Sequence, residues 1–95
     1  MDIIPKFLAL SVMEQPKLKE AFINLFHKKD DDHAVRVLQV TFGLMYDTEE
    51  GLTEEVRTEI FADAGLDMSD ANVEDVRLAV EFIDDAMYVD RGEVK

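Results

Sequence analysis

The residues with the clearest chemical potential form one short stretch, His27-Lys28-Lys29-Asp30-Asp31-Asp32-His33. Imidazoles and carboxylates bind metals and carry protons, so two histidines flanking three aspartates raise the question of a metal or acid–base site. The spacing argues against one. A preset helical zinc pair places its histidines at i, i+4, whereas these lie six residues apart across a polar break. Helix electrostatics accounts for the same residues more simply. Lys28 and Lys29 close one helix and Asp30, Asp31 and Asp32 open the next, each complementing the dipole end it meets. His27 and His33 are therefore read as solvated, helix-terminal residues, and no metal is expected.

Two other acidic stretches have the length of a calcium-binding loop. DTEEGLTEEVRT, from Asp47, has its glycine one place early and no glutamate at its end. DAGLDMSDANVE, from Asp63, ends on Glu74 but holds Met68 where the sharp turn needs glycine. Nucleophilic chemistry is as thinly supplied. Cysteine is absent; Ser11 lies in an apolar stretch and Ser69 at a helix start, and neither has a histidine close in sequence. Adjacent carboxylates such as Glu54/Glu55 and Asp84/Asp85 diverge by ~100° on a helix and do not share a proton. No glycine-rich phosphate loop occurs. The chain reads as non-enzymatic, with no cofactor.

Charge is the outstanding feature. In 95 residues, 22 acidic against 10 basic side chains leave a net charge of −12, beyond the ~2 to 8 that solubility asks of a small domain. Residues 1–29 carry five lysines against three acids, whereas residues 30–95 carry five basic against nineteen acidic residues. So strong a negative field repels nucleic acid and anionic membrane and attracts basic partners.

On a helix over 72–90, Arg77, Glu81 and Asp85 follow one another at i, i+4, and Asp84 lies i+3 from Glu81, giving columns with neighbours about 5–6 Å apart. Phosphates along a nucleic-acid strand are also several ångströms apart. Two helices, one bearing Glu54, Glu55, Glu59 and Asp63 and the other Glu74, Glu81, Asp84 and Asp85, could imitate such a backbone. They would occupy the basic cleft of a nucleic-acid-binding protein, as mimics of phage or mobile-element type do. The plainer reading is that these acids are the solvated faces of amphipathic helices, interrupted by Arg57 and Arg77, with Arg77 in reach of Glu81.

The elements that must position these groups follow from periodicity. Residues 3–13 are apolar nearly all the way round a short helix (Ile3, Ile4, Phe7, Leu8, Leu10, Val12), and Pro16 opens a second with Leu18, Ala21, Phe22, Leu25 and Phe26 on one face. Residues 34–46 fit a helix but also alternate as a strand would over 35–46. Helix is preferred, because no partner strand is visible to satisfy a lone strand's backbone. Gly43 weakens that helix by ~1 kcal/mol. Asp47 to Gly51 reads as a turn, Thr53 caps a helix with Leu52, Val56, Ile60 and Phe61 inward, and Gly65 closes it. Ser69, Asp70 and Asn72 compete to cap the last helix, which Gly92 ends.

The last helix carries an apolar arc (Val73, Val76, Ala79, Val80, Phe82, Ile83, Ala86, Met87, Val89) wider than the usual ~100° stripe, so it should pack against two neighbours. The expectation is an all-α fold: a single domain over 1–95, a compact bundle of four to five short helices with the C-terminal helix, 72–90, central. Residues 1–29 form a mildly basic helical hairpin and 30–95 the acidic part. Ile3, Ile4, Phe7 and Leu8 exceed what one face can bury, which makes a homodimer through the N-terminal helices the competing function to partner binding. No apolar run approaches the ~18 residues of a membrane span, and the absence of cysteine suits the reducing cytoplasm.

Overall fold

Pro16 and Asp30 mark the first two chain reversals. In the computed structural model, which describes residues 3–46 and 53–90 and the side chains of 5–45 and 53–85, α1 runs Ile3–Met13 and α2 Pro16–Leu25. Gln15 caps α2 in an extended conformation, with Pro16 next to it at a position whose N–H would have no helical partner. Asp30 caps α3 (Asp31–Tyr46): its backbone carbonyl accepts from Ala34 N–H at 3.0 Å and its Oδ1 from His33 N–H at 2.7 Å. Asp31 and Asp32 then occupy the first turn, where the dipole favours them.

Helix α4 (Glu54–Asp63) begins at Thr53, whose hydroxyl accepts from Val56 N–H at 3.2 Å. It ends in a Schellman turn. Leu66 N–H reaches Phe61 O at 2.9 Å and Gly65 N–H reaches Ala62 O at 2.9 Å, with Gly65 at φ +79°. Helix α5 (Asp70–Asp90) starts at Ser69, whose carbonyl accepts from Val73 N–H and whose Oγ accepts from Asn72 N–H. Asp67 braces this start, because the Asn72 amide donates to both its carbonyl and its carboxylate.

Among the described residues there are five helices and no strand, so the fold is an all-α bundle. Its hub is α3, which packs against all four other helices, while α5 packs against α3 and α2. The expected two neighbours of α5 are present, but the central position belongs to α3. The cause lies in the stretch whose pattern read as either helix or strand: Ala34, Val37, Leu38, Val40, Thr41, Phe42 and Gly43 are all buried, round most of the helix. Only a narrow strip, Asp32, Arg36 and Gln39, is left toward solvent, so little polar face remains to reveal the period. Thr41 is tolerated there because its hydroxyl donates to Val37 O at 2.8 Å. Gly43 marks a close crossing, since a Cβ there would lie 3.1 Å from the Ile60 methyl of α4.

Around α3, Ala9 of α1 is fully buried, and Phe22, Phe26, Phe61, Val76 and Ala79 complete one core. Phe22 joins α2 to α5 by packing on Phe82, ring centroids 4.8 Å apart. The expected turn at 47–51, Leu52, the apolar positions Ala86, Met87 and Val89, and the end at Gly92 lie outside the described residues or side chains.

Gly65 meets two demands at once, a left-handed backbone and space for Arg36, whose Nη1 would sit 1.9 Å from a Cβ at this position. Gly65→Ala is expected to destabilise the fold by more than about 1 kcal/mol, read as a lower urea midpoint at unchanged slope.

Candidate functional site

A carboxylate excluded from water needs a partner for each exposed lone pair. Asp75, on α5, is fully buried, and its carboxylate is the junction of three elements. His27, in the turn after α2, approaches Oδ1 with its backbone N–H at 3.0 Å and its ring Nδ1 at 2.5 Å. His33, in the first turn of α3, reaches Oδ2 through Nε2 at 2.8 Å. A carboxylate only accepts, so each ring donates the N–H that faces it. The Phe26 ring stands edge-on to the His33 imidazole, centroids 6.1 Å apart.

This corrects the reading of His33 as solvated: it is buried at 6% exposure. His27 is solvated as expected, its side chain 53% exposed, but it is also tied to Asp75 at one edge. The partner lies 42 and 48 residues away along the chain, so no local pattern of charges could announce it. One signal was present: Asp75 shares a helical face with Ala79 and Phe82, an acid on an apolar arc. Among the described residues, no group of three or more His, Asp or Glu side chains is arranged to hold a metal ion.

The proposed acidic surface falls into two groups. On α4, Glu54, Glu55, Glu59 and Asp63 are all exposed, and none makes an ion pair among the described residues. Glu54, Glu55, Thr58 and Glu59 line a shallow depression of about 670 Å³. On α5, Arg77 donates to both Glu74 and Glu81, while the exposed Asp84 and Asp85 make no ion pair among the described residues. Helices α4 and α5 each lie on α3 and do not pack on each other, so the eight carboxylates do not form one row on adjacent helices.

The hydrogen bond from Arg77 holds the Glu74 carboxyl below its usual 4.5. A lowered folded value means that this contribution is present above the ordinary carboxylate range and is lost as pH falls through the folded value. Both partners are solvent-exposed, which makes the gain small.

At the N-terminus, Phe7 is 67% and Leu10 44% exposed, one ridge apart at i, i+3. Leu8 packs against the core instead, because α1 turns that side toward α3. The side chains of Ile3 and Ile4 lie outside the described set. The chain matches no family model, no curated protein and no solved structure.

Two outcomes are expected. Asp75→Ala leaves the buried His33 Nε2–H and the His27 backbone N–H without their acceptor, at a cost of roughly 1–3 kcal/mol for each unsatisfied donor; Asp75→Asn, which keeps one acceptor oxygen, costs less. Urea denaturation of both variants measures the difference. Arg77→Gln should return the Glu74 titration toward 4.5, seen in carboxyl ¹³C shifts, and its stability deficit should fade as pH falls below that titration.

Proposed function

We propose that this chain is a non-enzymatic binding protein whose acidic helical surface docks a basic partner, of the class that normally binds nucleic acid, and competes with nucleic acid for it. It acts in a reducing cytoplasm, the compartment its lack of cysteine suits. The observation that supports the reading is the unequal treatment of the carboxylates. Glu74 and Glu81 are occupied by Arg77, whereas Glu54, Glu55, Glu59, Asp63, Asp84 and Asp85 have no cationic neighbour in ion-pair range among the described residues. Unpaired, solvated carboxylates retain their field for an incoming cation and need not first break an internal bond. Two groups of acids, on α4 and α5, could engage separate basic patches of one partner. A nucleic-acid mimic of the phage or mobile-element type is the sharpest form of this idea.

A second reading rests on Phe7 and Leu10. Their exposure on α1 lies in the one part of the chain with a positive local balance, where two copies of a strongly negative protein repel each other least. Homodimerisation through α1 is therefore the alternative function.

Both readings meet one experiment. The protein is incubated with host lysate at low salt, eluted with salt, and the eluate is tested for displacement by duplex DNA; the mass of the free protein is followed by sedimentation. The acidic reading expects a basic protein that elutes with salt, is displaced by DNA, and is lost with Glu54→Gln/Glu55→Gln/Glu59→Gln. A partner indifferent to salt and to that triple substitution rejects it. Salt-independent dimers abolished by Phe7→Ser support the alternative.

A further inference from the structure

We propose that the cleft between the start of α3 and the end of α4 binds a small zwitterion, a molecule carrying a carboxylate and a protonated amine such as an α-amino acid. The cleft is an open-sided space of about 490 Å³ lined by Lys28, Asp30, Asp32, His33, Arg36, Gly65 and Leu66. Its floor is built, not incidental. His33 is 94% removed from solvent, and Asp75 fixes its orientation through Nε2. Its other ring nitrogen, Nδ1, has no hydrogen-bond partner among the described residues, yet no side-chain nitrogen or oxygen there is both sealed from solvent and unpartnered. Nδ1 therefore reaches solvent, and His33 is among the residues that line this cleft. With Nε2 donating to Asp75, the neutral ring presents a lone pair at Nδ1.

The opposite charge is equally fixed. Arg36 donates through Nε to Asp32 at 2.9 Å and through Nη1 to the Ala64 carbonyl at 3.0 Å. Gly65 makes room for it, and the outer guanidinium N–H groups are left over. Lys28 makes no ion pair among the described residues. The lining is thus two cations, two carboxylates and one lone-pair acceptor, with no net charge, on a protein of net charge −12. That combination selects the ligand class. A lone anion is repelled by the surplus negative field, and a lone cation finds unpaired carboxylates elsewhere on the surface. A zwitterion feels little of either and gains only where both signs are held a few ångströms apart. Its carboxylate would face Arg36 and Lys28, and its ammonium His33 Nδ1 and the unused oxygens of Asp30 and Asp32.

The test follows the His33 ring nitrogens by ¹⁵N–¹H correlation during titration with L-alanine, and separately with its halves, propionate and ethylammonium, at matched ionic strength. Alanine should shift the His33 signals saturably while neither half does. Lys28→Gln, an exposed substitution that leaves the fold intact, should weaken the effect about tenfold, the loss of one charged hydrogen bond. A non-saturating response to alanine, an equal response to either half, or an alanine response unchanged by Lys28→Gln overturns the proposal.

Discussion

The structure depends on a carboxylate held where water cannot reach it. Burying an unpaired charge is costly, and a carboxylate that must be buried demands donors arranged around it before the chain can close. Asp75 sits at zero exposure and draws those donors from two histidines on either side of the α2–α3 turn. The consequence is positional. The turn between two helices and the first half of α5 are tied at one point, and α3 is clamped at its N-terminus by its own cap, Asp30, and by α5. A hydrophobic contact in the same place could slide by a rotamer; three hydrogen bonds to two oxygens allow one arrangement.

From that point the acidic surplus sorts itself by element. The aspartates at the start of α3 are used structurally, Asp30 as a cap, Asp31 against Lys19 and Asp32 against Arg36. Those on the middle of α5 are half neutralised by Arg77. The carboxylates of α4 are spent on nothing else within the described fold, and a function based on negative charge has its best material there. The same sorting leaves one locally neutral cleft beside His33, where Arg36 lies over Gly65 and pairs with Asp32.

Much of the fold was legible because helix ends are local. Pro16, Thr53, Gly65 and Ser69 act within a few residues of themselves, and each stands at the boundary its chemistry implies. The identity of the hub was harder to read. α5 shows a wide apolar arc, whereas α3 keeps only a narrow polar strip, Asp32, Arg36 and Gln39, and its β-branched residues also fit the alternation of a strand. The glycine that weakened the case for α3 is the residue that lets α4 approach it.

Composition and period alone determined that this is one helical, strongly acidic chain, and where most of its described helices begin and end, since those properties depend on neighbours within a turn or two. Only the tertiary structure decided what the histidines do. Hydrogen bonding to a buried oxygen is a matter of ångströms in space, and folding brought His27 and His33 to a carboxylate 48 and 42 residues distant. It likewise decided which carboxylates keep their charge free, because pairing depends on whether a guanidinium can reach them, and that is set by helix faces and crossings rather than by the count of acids in the chain.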